Sequence, residues 1–207
     1  MRRPWYVFLS QAVLVVLVMS ACQTEVHAGS PTPAVPSGPV RVVLQTEKGE
    51  IELELDGAHA SGTVRNFLRY VDAGRYTGGV FHRTVTPDNQ PDKVVKIEVI
   101  QGGMAPGSES FPPIPLERTR DTGLKHLDGT VSMARDTPDS AQSDFFLCVG
   151  DQPELDFGGR RNPDGQGFAA FGRVVRGLDV VRAIQHAPAQ GQTLTPAVRI
   201  LRATRVR

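Results

Sequence analysis

The stretch Glu50-Ile51-Glu52-Leu53-Glu54-Leu55 alternates charged and apolar residues without a break. Side chains on a strand point to opposite faces in turn, so this segment reads as a strand with one wet face and one buried face. Val40-Arg41-Val42-Val43-Leu44 precedes it, and Thr46-Glu47-Lys48-Gly49 lies between, which makes a hairpin with a glycine-containing turn. The period then changes. Across residues 61–73, Val64, Phe67, Leu68 and Val71 fall at helical spacing, with Ser61 or Thr63 to cap the start and Gly74 to end it. Val80 to Val85, Val94 to Gln101, Gly129 to Met133, Asp144 to Val149, Phe168 to Val174 and Ala197 to Val206 read as further strands, and Asp179 to His186 as a short helix. Residues 102–125, rich in Gly, Pro and charge, read as irregular. With 21 glycines and 16 prolines the chain has turns to spare. Short strands at this frequency point to a sandwich or a closed barrel, with the two helices placed to plug the ends of a barrel.

The chain before residue 40 reads as an address and a spacer. Arg2 and Arg3 precede an apolar run from Val7 to Ala21, too short to span a bilayer comfortably and flanked like a secretory signal. Val18-Met19-Ser20-Ala21-Cys22 resembles a lipobox, in which the cysteine is lipidated and becomes the new N-terminus. Val26-His27-Ala28 also has the small-residue spacing of an ordinary cleavage site, which would release a soluble chain starting at Gly29. The expected organisation is a signal peptide over 1–21, a Pro/Ser-rich linker over 22–38 and a folded domain over 39–207. The expected location is the cell envelope, lipid-anchored through Cys22, or else soluble and exported. The remaining cysteine, Cys148, sits in Phe145-Phe146-Leu147-Cys148-Val149 and reads as a buried, inert strand thiol.

Charge and motif exclude several functions. The formal charge is +1, from 23 basic and 22 acidic residues, and loss of Arg2 and Arg3 leaves 21 against 22, or −1. That balance gives no electrostatic reason to expect nucleic acid. His27, His59, His82, His126 and His186 are scattered without a close pair, so no metal site is expected, and His82 reads as a packed strand histidine. Asn162-Pro163-Asp164-Gly165 shares part of a calcium-loop pattern but lacks the full ligand spacing and reads as a turn. No Gly-x-Ser-x-Gly or phosphate loop occurs, and Ser132 and Ser143 lack a recognisable base.

Phe81-His82-Arg83, then Ile100-Gln101-Gly102-Gly103, Gly129-Thr130-Val131-Ser132-Met133-Ala134, Ser143-Asp144-Phe145-Phe146-Leu147, Gly167 to Val174 and Gly177-Leu178-Asp179-Val180-Val181 follow in a specific order. Together they resemble the cyclophilin family, over roughly residues 40–206. The resemblance implies a mainly β fold, a closed eight-stranded antiparallel barrel capped by two helices. It also implies cis/trans isomerisation of X–Pro bonds in exported polypeptides, aiding their folding, by a monomer without metal or organic cofactor. Arg83 matches the family's catalytic arginine and Gln101 the glutamine that orients it. Val99, Phe146 and Leu155 match its proline pocket; plain barrel core is the other reading of those three. Ala134 and Arg135 match the stretch whose main chain pairs with substrate.

Some positions depart from the family. Arg135 replaces the usual asparagine, Asp144 a glutamine, Glu154 a tryptophan, Phe168 a histidine and Glu98 a pocket phenylalanine. Arg135, Asp144 and Phe168 are still expected at the substrate site, with Arg135 and Asp144 paired to each other or Asp144 engaging Arg83. The 18-position step from Arg83 to Gln101 is long, and residues 86–93 read as an inserted hairpin tip that adds little to the core. These departures leave a second reading open: a catalytically weak, peptide-binding or chaperone module of the envelope on the same barrel.

Overall fold

The hairpin is present. In the computed structural model, which describes residues 39–206, β1 (Val40–Thr46) pairs antiparallel with β2 (Gly49–Leu55), from Val40 opposite Leu55 to Thr46 opposite Gly49. Ile51, Leu53 and Leu55 are buried, while Glu50, Glu52 and Glu54 face out to Arg41, Arg173 and Arg176. The signal, linker and Cys22 expectations lie outside the described residues.

The other strands are β3 (Val80–Val85), β4 (Val99–Gly103), β5 (Thr130–Met133), β6 (Phe145–Cys148), β7 (Ala169–Arg176), the two-residue β8 (Ala189–Gln190) and β9 (Thr193–Arg205). The sheet runs β1-β2-β7-β5-β6-β4-β3-β9 and closes through β9 onto β1, with every pairing antiparallel and β8 attached only to β9. Eight strands therefore form a closed barrel, which leaves no open edge around it. The helices are α1 (Ser61–Asp72), a single turn α2 (Thr119–Thr122) within the stretch read as irregular, and α3 (Leu178–Gln185). The predicted stripe of α1, Val64, Phe67, Leu68 and Val71, is buried, and so are Val181 and Ile184 of α3.

Several local expectations are adjusted. Neither Ser61 nor Thr63 caps α1: Ala60 stands at the N-cap, and the Glu117 carboxylate accepts from the Gly62 and Thr63 N–H groups (3.0 and 2.8 Å) and from Thr63 Oγ1 (2.6 Å). A carboxylate from a distant loop thus satisfies the free amides of the first turn and complements the helix dipole. The strand expected from Val94 begins at Val99. Residues 86–93 lie, as expected, in the connection of the antiparallel β3–β4 hairpin and are mostly exposed, but the segment is tied down: it forms a 3-10 turn, Pro87–Asn89, and then Gln90 buries its side chain. Gln90 Nε2 donates to the carbonyls of Thr86 and Ile97, and the Ile97 N–H donates to Gln90 Oε1, so a side-chain amide satisfies backbone groups just beyond the end of the β3–β4 ladder. Last, β9 begins at Thr193, before Pro196, because its first residues pair with β8.

The apolar residues separate into two clusters. The larger fills the barrel and the space under the helices, with Phe67, Tyr70, Tyr76, Phe81, Ile100, Phe145, Leu147 and Phe171 among its members. The smaller contains Val85, Ile97, Val99, Phe146, Cys148 and Leu155, with Ala134 and Phe168 packed against it. Strand alternation makes the division: Ile100 points inward and Val99 outward on β4, while Phe145 and Leu147 oppose Phe146 and Cys148 on β6. Cys148 is a free, buried thiol, and burial pushes its pKa well above the ordinary value.

Candidate active site

Ladder register assembles the site. Arg83 on β3 stands opposite Gln101 on β4, and Gln101 stands opposite Phe146 on β6. A bulge at His82 breaks the alternation between Phe81, which is in the core, and Arg83, which faces outward. The three side chains therefore form a row across the outer wall of the barrel. Around them opens a cavity of about 540 Å³, in the range of small-ligand sites. Val99, Phe146, Leu155 and Phe168 form its apolar floor; Ala134, Arg135 and Asp144 lie at its rim. The plain-core reading of Val99, Phe146 and Leu155 does not hold, because their cluster is separate from the barrel core. Phe168 meets Phe146 edge to face at 5.2 Å.

The Arg83 guanidinium is clamped between two amides. Nη1 donates to Gln101 Oε1 at 2.9 Å, while Nε and Nη2 both donate to Gln192 Oε1 at 3.0 and 2.7 Å. Among the described residues, three bonds leave two of its five N–H groups free. Burial lowers its pKa from the ordinary guanidinium value, though an arginine remains charged in water at neutral pH. Gln192 is held in turn, since its Nε2 donates to Asn89 O at 3.1 Å. Neither Gln192 nor Asn89 was foreseen. Gln192 lies 109 positions from Arg83, in a polar turn that carries no motif.

The rim charges pair differently from expectation. Arg135 does not meet Asp144; its fork closes on both oxygens of Asp164 at 2.8 and 3.0 Å, and its Nε donates to Gly167 O. The Arg135 hydrogen bonds hold the Asp164 carboxyl below its ordinary pKa. Asp144 reaches Arg83 only through Gln101, whose Nε2 donates to Asp144 Oδ2 at 3.3 Å. His82 is not packed within the strand but stands partly exposed, with Nε2 3.6 Å from the same oxygen. A Cβ on Gly103 would lie 2.2 Å from Asp144 Oδ1, so the second glycine of Gln-Gly-Gly makes room for that carboxylate. Glu98 turns away to accept from Gln185, and Ile97 takes the apolar place beside Val85. Glu154 pairs with Arg160 outside the cavity. Asn162 to Gly165 is a turn, closed by the Gly165 N–H on Asn162 O.

Ser132 does have a base. His126 Nε2 is 2.9 Å from Ser132 Oγ, and His126 Nδ1 is 2.8 Å from Asp156 Oδ1. Burial alone would raise the Asp156 pKa, but the hydrogen bond and charge of His126 outweigh it and lower it. All three residues are buried, and the His126 ring stacks on Phe146. The chain of bonds supports the cavity floor from behind and offers no hydroxyl to a substrate.

A closed eight-stranded antiparallel barrel with an arginine-edged apolar cleft on its outer wall defines the cyclophilin-like class. The family profile described as cyclophilin type peptidyl-prolyl cis-trans isomerase/CLD matches residues 41–205. Peptidyl-prolyl cis-trans isomerase cyp18 of Streptomyces antibioticus is 40% identical over 146 residues, 70% of this chain and 82% of the relative. Peptidyl-prolyl cis-trans isomerase A of Dickeya dadantii is 36% identical over 84% of this chain and 81% of its own. A crystal structure of a cyclophilin type isomerase from Cryptosporidium parvum superposes with a TM-score of 0.66 at 19% identity, covering 82% of this chain and 98% of that one. The chain belongs to the cyclophilin-type peptidyl-prolyl cis-trans isomerase family and is an enzyme of that class.

Proposed function

We propose that this enzyme works in the cell envelope, as a monomer tethered by a lipid on Cys22, and isomerises X–Pro bonds of exported polypeptides during their folding. One observation carries the catalytic part: a clamped guanidinium with two N–H groups free among the described residues, at the edge of an apolar floor. The barrier of about 18–20 kcal/mol to C–N rotation comes from amide resonance. Rotation takes the nitrogen out of conjugation and leaves it a lone pair. A donor aimed at that nitrogen binds the twisted amide better than the planar one, which lowers the barrier. In this reading Arg83 is the catalytic residue, and Val99, Phe146, Leu155 and Phe168 hold the ring. Ala134, Arg135 and Asp144 border the flanking peptide. Gln101 and Gln192 are positioning residues. The test is isomerisation of a short X–Pro peptide by the mature chain, read as line exchange in NMR; no acceleration over the uncatalysed rate refutes the reading.

The clamp makes its own prediction. Gln192→Ala removes two of the three bonds on Arg83 and leaves the fold's backbone bond from Thr84 to Gln192 O in place. Loss of this charge-assisted bonding is expected to lower kcat about tenfold with KM and thermal midpoint little changed. A parallel rise in KM, or a fall in stability, would instead mark Gln192 as a wall or a structural residue.

The location rests on the apolar run from Val7 to Ala21 and on Cys22 directly after it. In a lipoprotein-processing host, Cys22→Ala is expected to abolish fatty-acid labelling and to move the protein from the membrane to the soluble fraction. A wild-type mature chain beginning at Gly29 by mass spectrometry would favour cleavage after Ala28.

A further inference from the structure

Charges of both signs line the cavity: the carboxylates Asp136 and Asp144, and the cations Arg83, Lys93, Arg135 and Arg161. Asp144 has Gln101 and His82 as partners, and Arg135 has Asp164. The other three cations are not matched in this way. Among the described residues, none of these three has a carboxylate within 4.0 Å. Arg83 is held by glutamine oxygens. Arg161 donates from Nη1 to Gln90 Oε1 and Val95 O, both at 2.8 Å and both neutral acceptors. The Lys93 ammonium makes no bond at all among the described residues. Two arginines of other loops behave otherwise: Arg160 closes on Glu154 and Arg135 on Asp164.

The missing partner is therefore local to the cleft. Burial and the charge of Arg83 together depress the Arg161 guanidinium pKa, so these two cations repel each other across a partly desolvated space. The 86–98 segment builds the arrangement. Buried Gln90 fixes its backbone and meets Arg161, and Lys93 projects from it into the cavity. An anion placed there would relieve the repulsion and gain two partners without displacing any carboxylate.

We propose that the Lys93–Arg161 end of the cleft is a subsite for a carboxylate side chain, so that the enzyme selects X–Pro bonds flanked by aspartate or glutamate. The proposal rests on the isomerase reading and adds the substrate class to it. Polypeptides with an acidic residue beside the proline bind with that side chain between Lys93 and Arg161 and with the proline ring on Phe146. Neutral peptides bind through the floor and Arg83 alone.

The test uses two series of short peptides, with Glu, Gln or Lys in turn directly after the proline or directly before the X residue. The mature chain is assayed for kcat/KM by NMR exchange at low and at high salt. In one of the series the Glu peptide is expected to exceed the Gln peptide about fivefold, the scale of one partly exposed ion pair, and the advantage should shrink with salt. Lys93→Glu disturbs no bond of the fold and should abolish the Glu advantage; Lys93→Glu with Arg161→Glu should favour the Lys peptide. Equal rates on Glu, Gln and Lys peptides in both series, or a preference unmoved by Lys93→Glu, would overturn the subsite. Turnover of none of the peptides would instead overturn the isomerase reading beneath it.

Discussion

Arg83→Ala is expected to lower kcat/KM on any X–Pro peptide at least about 10²-fold, or about 2.7 kcal/mol of transition-state stabilisation. The side chain is the one cation in the row formed with Gln101 and Phe146, and its two unbound N–H groups have no other partner in the cleft. Gln101 and Gln192 are neutral and cannot replace it. The fold should survive, because the arginine is bonded only to two glutamine side chains and is absent from both apolar clusters. Lysine at this position should rescue little. Its ammonium lacks the planar fork that spans Gln101 and Gln192 while pointing at a third atom. Isomerisation measured by NMR exchange, with circular dichroism to verify folding, checks both halves. Activity of the alanine variant within twofold of wild type would remove Arg83 from the mechanism.

The alternation in β2 and the helical stripe of α1 were plain in the sequence because each repeats over several residues, and burial enforces such repeats. Arg83, Gln101, Val99, Phe146 and Leu155, which the family resemblance brings together, all line one cavity. What was hidden has particular causes. Period-2 reasoning puts Phe81 and Arg83 on one face of β3, and only the bulge at His82 separates them. A bulge adds a residue without changing composition, so it leaves no pattern to read. Gln192 reaches Arg83 across β3 and β9, a neighbourhood set by barrel closure that no local spacing encodes. The expected Arg135–Asp144 pair failed for a similar reason. Asp164 was read only as part of a turn, yet that turn brings its carboxylate square onto the guanidinium. The 86–98 segment is the mostly exposed hairpin connection that its prolines suggest, but the single buried amide that ties it to the barrel, Gln90, is not legible there. A polar side chain that stands in for backbone bonds has no signature in composition.

Phe67→Ala is expected to cost about 3–5 kcal/mol of folding stability, the range for removing a large aromatic from a packed core. Phe67 is fully buried on α1 and joins the helix to three separate strands or loops of the barrel. Its ring lies 5.0 Å from Tyr76, 5.2 Å from Phe171 and 5.4 Å from Phe145, the last at an interplanar angle of 88°. No neighbouring side chain can swing into the space, because Tyr76 is tied by its hydroxyl to Ser143 O and Phe145 is held edge-on by both Tyr76 and Phe81. The cavity should therefore stay largely open. For a domain of this size the loss corresponds to a fall in thermal midpoint of roughly 10 °C, a large part of the ordinary margin of stability. The same substitution separates the two apolar clusters by function. Phe67 contacts the barrel core and has no member of the cleft cluster among its ring partners, so activity per folded molecule should stay within about twofold at temperatures where the variant is folded. A calorimetric shift with unchanged low-temperature kcat/KM is the expected pair of results. A variant that stays stable would show that α1 is not held by this aromatic cluster. One that is folded but inactive would show that the core and the cleft are coupled, and that the barrel wall does not insulate one from the other.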